Sequence, residues 1–297
     1  MNVSHAAARS DPRPLGVLDS GVGGLSILRE LRAQLPAENV IYLADQAHVP
    51  YGTRPIEQVR TFTEGIVRFL LAQDVKLVVV ACNTASAAAL HALRTRFPDV
   101  PFVGMEPAVK PAAQATQSGV IGVLATEATF QGALYASVVG RFARGVHVEK
   151  QACPEFVTLV EAGQTHTEAA RAAVRRRLTP LLRAGVDQLV LGCTHFPFLA
   201  DLLREEAGPH VALVDPSAAV ARQVGRVLSA REAANISSAP GALRCYTTGS
   251  PSAFRRTLRA LLGAELAEAA DVCAATWGAD GTLRAMPQAG ACSEESV

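Results

Sequence analysis

Two stretches of this chain end fully apolar strands in short polar turns, and most of what the chain can fold into follows from them. In VKLVVVACNTASAAAL, residues 75–90, Leu77 to Ala81 are all aliphatic, mostly β-branched, without alternation. That is the pattern of a strand buried on both faces of a parallel sheet. Cys82, Asn83 and Thr84 then arrive together, and the Ala/Ser-rich segment behind them reads as a helix capped by Asn83, Thr84 or Ser86. Cys82 thus falls where a strand hands over to a helix. In open α/β sheets ligands bind at that carboxyl edge, and a helix N-terminus there favours an anion or a thiolate.

The same grammar recurs in VDQLVLGCTHFPFLADLL, residues 186–203, where an apolar strand leads into Cys193, Thr194 and His195 and then a helix. The two cysteines are 111 positions apart, and GVLDSG at 16–21 is echoed by GVLATE at 122–127, an offset of 106. Two landmarks at nearly one offset point to an internal duplication of a βα unit. The expected fold class is α/β, with two pseudo-symmetric open domains of mainly parallel strands and an active site in the cleft between them. Residues 14–106 with 216–278 would form the first domain and residues 107–215 the second. Residues 1–13 and 279–297 read as disordered tails.

A chain of 297 residues has room for two such domains. A net charge of +1 excludes an electrostatic case for nucleic acid or a membrane surface. No apolar run reaches the length of a membrane span and residues 1–14 lack a signal-peptide core, so a cytoplasmic location is expected. The six cysteines show no CxxC and no regular spacing, which indicates neither a zinc site nor a disulfide framework. Cys245 and Cys273 read as inert buried thiols and Cys292 as part of the tail. The basic run Arg175 to Arg177 reads as a solvated helix face.

Taken in order, strand Leu15 to Leu18 ends in DSGVGGLSIL, with Asp19 and Ser20 at its edge and Gly21, Gly23 and Gly24 in a tight turn. The turn lacks both the GxGxxG spacing and the lysine of a phosphate loop. The glycines then either bring the backbone close to a small anion or make a plain turn with Asp19 as helix cap. Strand Val40 to Ala44 leads through Asp45 into HVPYGTR, where Pro50 and Gly52 expose backbone amides and Tyr51. A helix from Ile56 to Leu71 precedes the Cys82 strand. The second half opens with Val120 to Leu124 and Thr126. In CPEFVTLVEAG, Glu161 is either a solvent-facing helix residue or a carboxylate aimed into the cleft. Val211 to Val214 and Asp215 return the chain to the first half, and LRCYTTGSPSAFRRTLRALLG supplies one last strand and helix.

If the halves face each other, Cys82 and Cys193 look at one small ligand from opposite sides. Two thiols on opposite faces of a carbon suit stereoinversion, one taking a proton and the other giving one. A thiol near pKa 8.5 is a poor base for a Cα–H, so the site must also stabilise the developing carbanion. Ser20, Asn83, Thr84, Thr126 and Thr194 are candidates to hold the carboxylate that takes up that charge. Asp19 and His195 are the polar neighbours placed to assist Cys82 and Cys193 respectively.

The motifs DSGVGGLS, VPYG, ACNTAS, LVEAG and GCTHFPFL, in this order and spacing, resemble the glutamate racemases of the cofactor-independent aspartate/glutamate racemase superfamily, over Leu15 to about Gly263. The resemblance implies interconversion of L- and D-glutamate for bacterial peptidoglycan, with neither pyridoxal phosphate nor metal. It implies that Cys82 deprotonates D-glutamate and Cys193 L-glutamate. Asp19, Ser20, Tyr51, Gly52, Asn83, Thr84, Thr194 and His195 match substrate-contacting positions, with Thr126 and Glu161 in less distinctive surroundings and Asp45 and Glu161 as possible assisting carboxylates. The PYG turn is expected to receive the side-chain carboxylate, and a homodimer is implied. Phe196 and Phe198 depart from the pattern and stand to reshape the pocket wall.

Rival readings are an aspartate racemase of the same fold, a cysteine hydrolase built on Cys193 and His195, and a binding protein that keeps the fold alone. The hydrolase reading leaves Cys82 idle and needs two residues at a tight turn to meet. A pyridoxal-phosphate enzyme needs a Schiff-base lysine, and Lys76, Lys110 and Lys150 lack a phosphate turn.

Overall fold

A computed structural model describes residues 10–287. The strands β1 (Leu15–Asp19), β2 (Val40–Ala44), β3 (Leu77–Val80) and β4 (Phe102–Gly104) pair in parallel in the order β2-β1-β3-β4. A second sheet repeats that order as β6-β5-β7-β8, from β5 (Val120–Ala125), β6 (His147–Ala152), β7 (Gln188–Leu191) and β8 (Ala212–Val214), again all parallel. The duplication seen as a sequence offset is therefore a repeat of topology, with Cys82 following β3 and Cys193 following its equivalent, β7. The two sheets share one hydrophobic core, in which Val22 and Leu25 of the first half join Phe156, Val157 and Phe196 of the second.

Three further strands extend the first sheet past β2. β9 (Leu243–Thr247) and β10 (Asp271–Trp277) are parallel additions, and β11 (Leu283–Ala285) closes the edge antiparallel to β10. This corrects the expectation of one last strand and of disorder from 279. Leu283 and Ala275 are buried in the core around helix Ile56–Leu71, and a three-residue edge strand leaves almost no periodic signal. The amino-terminal boundary moves as well. Residues 10–13 are pinned by Asp11 N–H to the Ala234 carbonyl and by Lys76 Nζ donating to the Asp11 carbonyl. Cys292 and the remaining tail residues lie outside the described residues.

Two local expectations change. The helix Asn83–Arg96 is capped by none of Asn83, Thr84 or Ser86; the Cys82 sulfur itself accepts the Ala85 N–H at 3.4 Å. Ser86 instead donates to the Val80 carbonyl and accepts from Met105 N–H. After His195 the chain makes a 3₁₀ turn, Phe196–Leu199, before the α-helix Ala200–Ala207, with Pro197 in its opening turn. Arg175 to Arg177 lie on helix Glu168–Arg183 as expected, but in ion pairs, Arg175 with Glu206 and both Arg176 and Arg177 with Glu155. Among the described residues no helix is long and apolar enough to cross a membrane.

Candidate active site

Parallel strands deliver their carboxyl ends to one edge, and the two sheets turn those edges toward each other. The cavity between them is lined by Ser20, Pro50, Tyr51, Gly52, Cys82, Asn83 and Thr84 from the first half and by Thr126, Val157, Cys193, Thr194 and His195 from the second. Its free space is about 10 Å³, one water's worth. In this closed state no amino acid fits. None of the three lysines lines it, and among the described residues no three His, Cys, Asp or Glu side chains converge as a metal site would.

Cys193 faces the His195 Nδ1 at 3.6 Å, and the other ring nitrogen, Nε2, bonds Glu161 Oε1 at 2.7 Å. Residues two apart at a tight turn seldom meet in nucleophile–base geometry, yet here the thiol and the imidazole do, with a 3₁₀ turn directly after His195. Glu161, left open between solvent and cleft, points inward. It also accepts from Val22 N–H at 2.7 Å and Gln46 Nε2 at 3.0 Å, with its side chain 14% exposed. Burial alone would lower the His195 pKa, but the bonds to Cys193 and Glu161 outweigh it and hold the ring well above the usual histidine range. Burial works to raise Glu161, and the His195 contact overrides it, leaving the carboxyl below its usual range. The array is an imidazolium between the Glu161 carboxylate and the Cys193 thiol.

Cys82 has no such cation. Burial pushes it up to about 12, and the nearby charge of Asp19 adds to the effect, while the Ala85 N–H and Ser20 oppose it. Its contact with Ser20 Oγ is long, at 3.9 Å. Asp19 does not cap the following helix, Leu25–Gln34, whose N-cap is Gly24 with no side-chain bond. Asp19 accepts Gly21 N–H at 2.8 Å and Thr194 Oγ1–H at 3.1 Å across the cleft. Burial raises its pKa, against the pull of His195. Thr84 and Thr126 bridge the halves at 3.1 Å, and Thr126 also caps helix Glu127–Gln131. Asn83 stands apart: its side-chain nitrogen and oxygen are both buried and neither has a partner. A buried amide left bare in a cavity wall is costly unless a ligand completes it.

The glycine turn makes room for the opposite half. A Cβ on Gly21 would strike Glu161, and one on Gly23 would lie 2.6 Å from Thr194 Oγ1. Only bare backbone lets these groups close over the turn. Gly52 plays the same part opposite Thr126, where a Cβ would sit 2.6 Å from the Thr126 Cβ.

Tyr51 and Asp45 differ from expectation. The Tyr51 hydroxyl donates to Asp45 Oδ2 at 2.7 Å, so the turn offers a ligand its backbone and ring but not its hydroxyl. Asp45 is fully buried behind the turn, outside the cavity lining, and bonds neither thiol. Phe196 does not reshape the pocket wall; it packs edge-on to Phe156 at 5.2 Å in the core, and Phe198 takes the Arg29 guanidinium over its ring. Sequence reasoning missed Val157, Gln46 and Ser26, whose hydroxyl donates to the Thr194 carbonyl at 2.9 Å. Ser26 and Gln46 carried a signal, since each stands in or beside a motif already singled out.

Residues 15–224 match the model of the Asp/Glu/Hydantoin racemase family. A glutamate racemase of Roseiflexus sp. is 50% identical over 250 residues, 84% of this chain and 92% of that protein. The crystal structure of Escherichia coli glutamate racemase, in complex with L-glutamate and the activator UDP-MurNAc-ala, is 33% identical with a TM-score of 0.77, covering 93% of this chain and all of that one. The Francisella tularensis glutamate racemase in complex with D-glutamate is 29% identical with a TM-score of 0.76, covering 88% and 97%.

Proposed function

The chain belongs to the Asp/Glu/Hydantoin racemase family, and from that premise we infer that it interconverts L- and D-glutamate with Cys82 and Cys193 as the two proton-transfer groups. The observation that carries the two-thiol reading is topological. Two cysteines following equivalent strands of a duplicated fold line one closed cavity from opposite halves.

Cys193, as a thiolate held by the His195 imidazolium, removes the Cα proton of L-glutamate. The charge left behind spreads into the α-carboxylate, where the Asn83 amide and the N-terminus of helix Asn83–Arg96 meet it. Cys82, kept protonated by burial and by Asp19, delivers its proton to the opposite face. D-Glutamate results, with the proton now on Cys193 and the negative charge on Cys82. Resetting the enzyme needs one proton returned from Cys193 to Cys82 through solvent, and the reverse reaction runs from that second state. Glu161 holds the imidazolium, and the 50–52 turn receives the distal carboxylate on its backbone.

A one-water cavity has to open to admit an amino acid. Residues 14–106 with 216–278, together with the β11 edge, and residues 107–215 are the two bodies proposed to part. Both thiols must stay reduced to act, which supports a cytoplasmic location, and membership of the family supports a role in supplying D-glutamate to peptidoglycan. The family resemblance supports a homodimer, which sedimentation equilibrium tests against the 31.1 kDa chain.

Purified protein with L-glutamate and no added cofactor is expected to bring the optical rotation to zero. L-Aspartate, one methylene shorter, should turn over roughly 10- to 200-fold more slowly. Faster turnover of aspartate would overturn the substrate assignment.

A further inference from the structure

The chain has one tryptophan, Trp277, and it ends β10, outside the duplicated strands and outside the cavity lining. Its indole Nε1–H donates to Asp45 Oδ1 at 2.8 Å. Thr248 Oγ1–H donates to the same oxygen at 2.9 Å. The other oxygen, Oδ2, accepts the Tyr51 hydroxyl at 2.7 Å and faces His48 Nδ1 at 2.9 Å. Asp45 is fully buried, and a buried carboxylate is tolerated only when donors of this kind satisfy its oxygens. The aromatic groups are locked in turn. His48 stacks on Phe62 at 3.8 Å and meets Trp277 edge-on at 5.6 Å. Helix Ile56–Leu71 passes so close beneath the indole that a Cβ on Gly65 would lie 2.7 Å from it.

The donors to Asp45 divide by origin. Tyr51 belongs to the cavity wall, while Trp277 ends β10 and Thr248 directly follows β9, carboxy-terminal strands that the duplication does not require. We propose that Trp277 is a positioning residue for the substrate turn. It fixes Asp45, Asp45 fixes the Tyr51 ring, and Tyr51 carries Gly52 to its place against Thr126. Trp277 touches no substrate atom. The carboxy-terminal strands are thus a brace for the subsite that takes the distal carboxylate, a role that rests on the glutamate reading above.

Trp277→Phe keeps an aromatic ring over Gly65 and Phe62 and removes only the N–H donor. It is expected to raise KM for both glutamate enantiomers about tenfold, the size of one lost hydrogen bond to a charge, with kcat within about twofold of wild type. Action through Asp45 makes a second prediction. In an Asp45→Asn background the added Trp277→Phe change should cost less than about twofold in KM, because the relay is already broken. A melting temperature lowered by Trp277→Phe with KM unchanged would reduce Trp277 to a packing residue and overturn the proposal. An undiminished KM effect in the Asp45→Asn background would overturn it too. Failure of the wild-type protein to racemise glutamate is a separate outcome, and it removes the functional reading first.

Discussion

Cys82 caps a helix in the field of Asp19, whereas Cys193 faces an imidazole that is itself held by a carboxylate. Equal chemistry at equivalent positions has therefore been given unequal surroundings: burial and Asp19 keep Cys82 a thiol, while Cys193 faces an imidazole. The Glu161–His195 pair also makes stability depend on pH. The folded pKa of His195 is raised, so its contribution is full below the unfolded value of 6.5 and is lost as pH rises through the folded value. The folded pKa of Glu161 is lowered, so its contribution is present above 4.5 and lost as pH falls through the folded value. Glu161→Gln is expected to lower stability by about 1–3 kcal/mol, with the gap to wild type widest between pH 4.5 and 6.5. Thermal melts across pH 4 to 10 check this, and a gap that widens above pH 8 would contradict it. Both cysteines were legible because each breaks an apolar strand with polar residues. Which way Glu161 points was not, because a carboxylate on an apolar helix looks the same in sequence whether a histidine or water meets it.

At the scale of elements, the short turns carry the fit between halves. Gly52→Ala would push a methyl against Thr126, and overpacking of this kind costs roughly 1–3 kcal/mol. The expected result is a rise in KM of at least about tenfold, since the displaced turn is the one that receives substrate. Steady-state kinetics with D-glutamate measure it, and an unchanged KM would mean that the turn adapts freely. The motif DSGVGG signalled a tight turn at once, yet not what the glycines make room for, because Thr194, His195 and Glu161 come from 140 or more positions later. The carboxy-terminal brace was unreadable for a related reason: Trp277 reaches Asp45 only once β9 and β10 have been added beside β2.

For the whole molecule, the repeated strand order was legible as two offset motifs, since each half obeys the same βα pattern. How closely the halves approach was not, because that depends on side chains meeting across the cleft. The same closeness brings two thiols to one small space. The most direct test is L-glutamate in deuterated water without added cofactor, followed by optical rotation and by Cα–H loss together, for wild type, Cys82→Ser and Cys193→Ser. Wild type should racemise with one solvent deuterium entering for each inversion, and either substitution should abolish racemisation. Racemisation that persists in either single variant would contradict the two-thiol mechanism.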